Sequence, residues 1–481
     1  MQDVLRSALD AARVLGASFA EARFVDQRSE SYEIKNGKPA HAESSASRGL
    51  GVRVAVAGCW GFAAAADVSR KSQAARLAKL AARIAKASAL VRAAEPAGLA
   101  PGRSGRGEYR TPVGEDPFTV SVEEKLGLLA EAEKRLHGPE LAVTQAFLSV
   151  FRKATSFANT EGAEFEQEIT ETGAGLAATA VRGGDFQVRS YPNSFRGNFG
   201  TAGFEYVRAL DLAGNAQRVA AEARALLDAP QCPAGRRSLI LDGGQLALQV
   251  HESIGHPIEL DRVFGTEAAY AGTSFLTTEK LGNFKYGSEQ VNVVADATEP
   301  MGLGTFGFDD EGTPGRRVEV IKNGLFVGYI SDRESAGRLN LASSGAARAD
   351  GWSRIPLVRM TNINLLPGTW RLEDLLADTD GGLFLSTNRS WSIDDRRLNF
   401  QFGTEAAWEI AGGKLGKMYK NPTYTGITPE FWGSCDAVCS RDYWRMWGTP
   451  NCGKGQPGQS AHVGHGAAPA RFRNVRVGVV K

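Results

Sequence analysis

The 481-residue chain has no uncharged apolar run approaching the ~20 residues that a membrane-spanning helix requires, so no spanning helix is expected. Its cysteines number only five, odd and scattered, which argues against a disulfide framework. Net charge is nearly absent as well. The 56 Lys and Arg oppose 54 Asp and Glu, leaving +2 and no overall field to attract nucleic acid or anionic lipid. No basic patch interleaved with aromatics makes up for this locally, so nucleic-acid binding is not expected. Internal repeats and low-complexity tracts are lacking too. The opening stretch MQDVLRSALDAARVLGASFAEARF does not read as a signal peptide, because Asp3, Arg6, Asp10 and Arg13 interrupt its apolar pattern. It predicts a folded amphipathic helix, and the cytoplasm is the expected compartment.

What is present describes a globular protein: 42% hydrophobic and 23% charged residues, in a chain long enough for two domains. The first half mixes elements. Leu5, Leu9, Ala12 and Leu15 form a helical stripe, and alternating residues flank Asn36-Gly37 as in a hairpin. GLGVRVAVAGCWGFAAAA reads as continuing strand, and residues 69–94 as a long helix. Residues 95–118, crowded with Gly and Pro, read as a loop. Alternating segments over 141–200 predict antiparallel strands, followed by a helix through Leu212 and Leu226. The stretch 228–238, DAPQCPAGRRS, is the best boundary, and beyond it the pattern becomes β-rich. The expected fold class is α+β. A mixed α/β domain over 1–232 precedes a β-rich domain over 233–481 that carries the helix described next.

That helix lies in LDGGQLALQVHESIGHPIELD. Asp242 can cap it, and Leu246, Val250 and Ile254 form its buried face. His251, Glu252 and His256 resemble the H-E-x-x-H pattern of zinc peptidases, but the histidines are five apart rather than four. On a regular helix that spacing separates them by about 140°, against about 40° for a spacing of four. Gly255 eases departure from regular helix, and Pro257 is expected to push His256 out of the α region and end the helix. A π-type turn would bring residues five apart onto one face. Two histidines on zinc with one further ligand leave a position for water, and Glu252 beside the first ligand is placed to act as general base on that zinc-bound water.

For the third ligand, several groups compete on residue chemistry alone. Glu259 and Asp261 follow His256 closely. His462 and His465 are spaced for a turn or loop site, Cys435 and Cys439 could form a separate pair, and Cys452 sits in a Gly-rich loop. Residue chemistry does not choose between Glu259 and Cys452.

Four ordered segments together resemble the TldD/PmbA peptidases, on the TldD side. They are HESIGHPIELD, then DDEGTPG with VEVIKNGLFVGYISDRESA, then PLVRMTNINLLPG, and finally NCGKGQPGQSAHVGHGAAPARFRNVRV. The resemblance implies a two-domain α+β zinc metallopeptidase of the catalytic type, hydrolysing peptides or unfolded segments. It implies one zinc per active site held by His251, His256 and Cys452, with Glu252 as general base. It also implies a homodimer, or a heterodimer with a PmbA/TldE-like paralogue, that encloses the site with help from the N-terminal domain. The alternative is a non-catalytic binding or scaffold subunit whose zinc is structural. That would need a fourth protein ligand, with Glu259, His462 or Cys439 as candidates.

Three further features invite expectations. Phe431, Trp432, Tyr443, Trp444 and Trp447, within the Trp- and Cys-rich segment 421–448, could line a pocket, a subunit interface or a satellite core. GLGTFGFDDEG reads as an exposed extended edge. Arg359 could hold an acidic partner or form a structural ion pair.

Overall fold

The computed structural model describes residues 1–91 and 98–478. Its first half is built on an eight-stranded sheet. The strands run in the order Cys59–Ala66, Lys38–Val56, Phe19–Lys35, Leu141–Asn159, Ala163–Arg182 and Gly105–Arg110, and Asp185–Tyr191 and Asn198–Gly200 also pair with Ala163–Arg182. Asn36-Gly37 makes the expected tight turn, with φ of 49° and 76° and Lys35 opposite Lys38. The run expected as one continuing strand instead folds back at Ala57-Gly58, where φ is 50° and 72°, into a second hairpin. The expected loop over 95–118 also needs correction. Within it, Gly105–Arg110 pairs in parallel with Ala163–Glu168, an edge strand whose Gly and Arg residues give no apolar alternation to read. Residues 92–97 lie outside the described residues, including the end of the expected helix and the start of that loop.

Alternation along these long strands sorts the two faces of the sheet. Ala20, Ala22, Tyr32 and Ile34 share one face of Phe19–Lys35. The first two pack with helices Gln2–Val14 and Lys71–Leu90, the last two with Val122–Lys134 and Leu212–Asp228. The four helices therefore cover one face as two adjacent pairs. The opposite face carries buried charge. Arg53 bonds Glu21 at 2.8 Å and Glu311 at 2.6 Å, and Arg23 donates to the carbonyls of Gly351 and Arg354. That face is closed by the second half of the chain.

GLGTFGFDDEG is part of this closure and is not an exposed edge. Asp309, Asp310 and Glu311 are buried, with Glu311 on Arg53 and Asp310 on Arg23, and no strand forms over 302–312. Its acidic residues look like surface only until their arginine partners, more than 250 positions away, are brought opposite them.

The second half holds a seven-stranded sheet in the order Leu383–Ile393, Gly235–Leu241, Ala470–Val477, Thr423–Ile427, Asn399–Ala411 and Lys414–Tyr419, with Cys435–Val438 on Ala470–Val477. Because Leu383–Ile393 also pairs with Asn399–Ala411, five of these strands close into a ring. Helix Gly243–Val250 follows the strand Gly235–Leu241, and its Leu246 and Val250, with Ile254 just beyond its end, pack into the main core with Phe402, Tyr424 and Trp432. Phe431 stacks on Phe472 at 4.1 Å, so the aromatics of 421–448 divide between core and cavity rather than acting as one cluster. Among the described residues, no helix is long and apolar enough to cross a membrane.

The seam between the halves predicts a large effect at Arg53. Replacing it with Met leaves Glu21 and Glu311 buried without their cation, and removing one partner of such a set costs about 3–5 kcal/mol. A urea titration should show Arg53→Met unfolding at a clearly lower midpoint; a loss under about 1 kcal/mol would contradict the role given to this seam.

Candidate metal centre

Asp242 caps the central helix by accepting from the Gln245 amide at 2.6 Å. After Val250 the backbone widens into a single π turn, His251–Gly255, closed by the His256 amide on the His251 carbonyl at 3.1 Å. This turn solves the spacing problem. The two imidazoles face one another with centroids 4.9 Å apart. Gly255 is needed for packing as well as flexibility, since a Cβ there would lie 2.3 Å from the Met360 sulfur. The expectation for Pro257 holds in part: the helix ends at Gly255, with turns over 256–258, but His256 keeps α geometry, φ −65° and ψ −42°. Pro257 has no N–H to offer the Ser253 carbonyl four residues back, and the buried Tyr286 hydroxyl donates to that carbonyl instead. Tertiary packing thus satisfies the carbonyl that Pro257 leaves open where the helix ends.

A buried polar chain fixes the helix against the sheet. Gln245 donates to the Tyr424 hydroxyl, which donates to Gln249; Gln249 and Trp432 both donate to the Ser253 hydroxyl. Such connected chains set one rotation of a helix rather than a range.

The strand Arg445–Lys454 brings Cys452 across to the two histidines. Its sulfur lies 3.5 Å from His251 Nε2 and 3.9 Å from His256 Nε2, and the ligand atoms of all three residues fall within 4.8 Å of one another. Zinc at its usual bond lengths in a tetrahedron would separate sulfur from each nitrogen by about 3.6 Å and the two nitrogens by about 3.3 Å. The sulfur already lies near those distances, and the two imidazoles need to draw together to hold a zinc-sized ion.

The remaining nitrogens are occupied in the way ligand histidines need. His251 Nδ1 lies 2.7 Å from His465 Nε2, and His256 Nδ1 lies 3.0 Å from Glu259 Oε2, which leaves both Nε2 atoms for an ion. Glu259 is in turn 3.3 Å from Lys454, a fully buried lysine that also holds Asp261 at 2.8 Å. Lys454 is two residues after Cys452, so one ammonium ties the cysteine strand to the segment orienting His256. Arg359 ties this strand to the next, Gln459–Ala467, by donating to the carbonyls of Cys452 and Gln459, and among the described residues it makes no acidic pair.

Electrostatics favour the donor forms. Burial lowers the pKa of His251, and burial followed by Arg397 lowers that of His256 well below the ordinary value, keeping both neutral. Burial pushes the Cys452 thiol up, but Arg359 and His256 together outweigh it and hold it below its usual value. Neutral imidazole and thiolate are the forms that bind metal.

Beside the donors lies a cavity of about 270 Å³. Phe195, Trp391 and Trp447 give it apolar wall, and Glu252, Asn388 and Arg397 give it polar wall. Glu252 is bonded to Arg397 at 2.6 Å. Of the other sequence candidates, Glu259 and His465 lie behind the donors and Asp261 is on Lys454. His462 is paired with Glu171, while Cys435 and Cys439 are buried as free thiols in separate apolar clusters. Lys454 and Arg397 were not anticipated. The short spacing of Lys454 after Cys452 in NCGKG was the one available signal; nothing in DDRRLN distinguishes Arg397 from a surface charge.

Comparison with known proteins finds family matches along most of the chain, in three domains. Residues 234–478 match the family model described as the PmbA/TldA metallopeptidase C-terminal domain, 20–88 match domain 1 and 115–227 the central domain. A metalloprotease of Methanocaldococcus jannaschii is 31% identical over 456 residues, covering 94% of this chain and 95% of that one. A zinc metalloprotease TldD homolog of Saccharolobus solfataricus is 26% identical over 247 residues, 51% of this chain and 52% of that one. The crystal structure of TldE from Thermococcus kodakarensis superposes with a TM-score of 0.73 at 16% identity, covering 98% of this chain and 99% of that one.

The arrangement behind His256 makes a measurable prediction. Glu259→Ala frees the ring and loosens Lys454, and loss of such an outer partner typically weakens metal binding about 10–100-fold. Competition against a chromophoric chelator reads this directly, and wild-type affinity in the variant would contradict the role assigned to Glu259.

Proposed function

The chain belongs to the TldD/PmbA family of metallopeptidases, and from that premise we propose that it is a zinc-dependent peptidase acting on peptides or unfolded polypeptide segments. The observation that carries this reading is the convergence of three buried donors from two distant segments, with an acidic side chain beside them and a cavity in front. His251, His256 and Cys452 hold one zinc per active site. Three protein ligands leave one position for substrate chemistry. Zinc, when bound, polarises the scissile carbonyl and brings the pKa of water down to about 7.

The chain's own residues do the rest. Glu252 takes the proton of the attacking water and passes it to the leaving amine nitrogen. Trp391, Trp447 and Phe195 exclude water from one side and receive apolar parts of the peptide. In this reading residues 1–232 enclose the substrate and contribute to dimerisation, and 233–481 carry the chemistry. A dimer with a second copy or with a TldE-like paralogue is supported by the likeness to TldE along almost the whole chain. The cytoplasm is the proposed compartment, and no nucleic-acid or membrane partner is proposed.

A structural zinc in a non-catalytic subunit would need a fourth protein ligand. Glu259 is engaged behind His256, His462 is on Glu171, and Cys439 lies in a cluster with Trp444; among the described residues only three groups form the donor cluster.

Glu252→Gln separates the two readings. It should retain zinc at wild-type stoichiometry and lose peptide cleavage by at least ~100-fold, the usual contribution of a general base. Full cleavage by the zinc-loaded variant would refute the role of Glu252.

A further inference from the structure

Arg397 stands in the turn between the strands Leu383–Ile393 and Asn399–Ala411, and that turn is held rigidly. Its amide donates to the Asp394 carbonyl at 2.9 Å, and its own carbonyl accepts from the Thr428 hydroxyl at 2.9 Å. The Asp394 carboxylate accepts from the Leu398 and Asn399 amides, and the carbonyls of Asp395 and Arg396 accept from Thr273 and Phe275. Arg397 itself adopts φ 63°, a left-handed geometry that non-glycine residues adopt at a cost and that recurs at functional sites.

This anchored residue leaves most of its hydrogen-bonding capacity unused. Among the described residues, one of its five N–H donors reaches a protein acceptor, Nη1 to Glu252 Oε2 at 2.6 Å, and Nε is buried without a partner. A nearby arginine shows what a structural role looks like. Arg262 bonds Thr273 through Nε, Glu267 through Nη1, and the carbonyls of Ala271 and Asp395 through Nη2. Arg397 instead lines the cavity next to the metal donors with its side chain 14% exposed. Glu252 has no other hydrogen-bond partner among the described residues, so its carboxylate direction depends on Arg397.

We propose that Arg397 both positions Glu252 and presents its unused guanidinium N–H groups to the carbonyl oxygen of the scissile peptide bond as that oxygen gains negative charge. The inference rests on the peptidase reading above. The chemistry balances around one cation. Water oxygen bonds to the carbonyl carbon, the C=O π pair moves to the carbonyl oxygen, and the water proton moves to Glu252. The pair on that oxygen then re-forms C=O as the C–N bond breaks, and the bond pair leaves on the amine nitrogen. Glu252 returns the proton there, and the acid product gives up the second water proton to the amine or to solvent. Arg397 thus stands between the proton acceptor and the oxygen that gains charge.

The test uses full-length zinc-loaded protein, a peptide that the wild type cleaves, and the matching phosphinic peptide as a tetrahedral anionic mimic. Arg397→Leu should keep its zinc, lose ~100-fold or more in kcat and change KM less than about threefold, as expected for a group acting on developing charge. Calorimetry should show the phosphinic peptide binding ~100-fold more weakly while the affinity for the cleavage products moves less than about threefold. Arg397→Lys, which keeps the charge but not the fork, should recover part of both, and it covers the case in which the leucine variant folds poorly. Unchanged kcat, or equal loss of affinity for phosphinic peptide and products, overturns the assignment while leaving the peptidase reading intact. If the wild type cleaves no peptide, the peptidase reading itself fails.

Discussion

The site depends on one widened turn of backbone. Five residues separate His251 from His256, and only the π turn His251–Gly255 lets both rings meet one ion. Nothing in the isolated segment makes that turn stable. Gly255 makes room against Met360, Tyr286 satisfies the carbonyl that Pro257 cannot, and the chain from Gln245 to Trp432 sets the helix rotation. Each support comes from a different part of the second half of the chain. The ring of strands supplies one of these supports, Tyr424. The loops and the short helix packed around it supply Met360, Tyr286 and Trp432, so a locally unfavourable turn is held from several sides.

The second constraint is how Cys452 arrives from a strand 201 positions away in sequence. Its strand is held by charge at two heights, Arg359 on the Cys452 carbonyl and Lys454 on the carboxylates of Glu259, Asp261 and Glu267. Burying a lysine among three carboxylates is costly unless each charge is matched, so the cluster is stable in one arrangement and poor in any displaced one. The same cluster sets the ring of His256. Support for the third donor and orientation of the second are thus one structure.

Local chemistry in the sequence exposed the centre of this picture. His-Glu with a second histidine before proline, preceded by a capping aspartate and paired glycines, is legible because each residue has a strong local preference. The third donor was not legible in that way, because Glu259 and Cys452 are equally reasonable ligands until the fold places one behind the ring and the other in front; resemblance to a family pointed to Cys452. Pro257 marked the end of the helix correctly but not the α geometry of His256, because its preference is local and the Tyr286 hydroxyl that takes the open Ser253 carbonyl is not. The acidic stretch Asp309–Glu311 misled for the same reason, its partners Arg23 and Arg53 being near the start of the chain. In the first half, the Asn36-Gly37 turn was plain, whereas the Ala57-Gly58 turn and the edge strand Gly105–Arg110 lack distinctive residues and become strands through pairing alone.

Metal coordination in the zinc-loaded protein is the most direct test of the account. X-ray absorption at the zinc edge, or anomalous diffraction from a crystal, should find two imidazole nitrogens at about 2.0–2.1 Å, one sulfur at about 2.3 Å and a single light non-protein ligand. That result, with the sulfur lost in Cys452→Ser, is what a hydrolytic centre built on the π turn predicts. A site closed by four protein ligands, or one without sulfur, would contradict it.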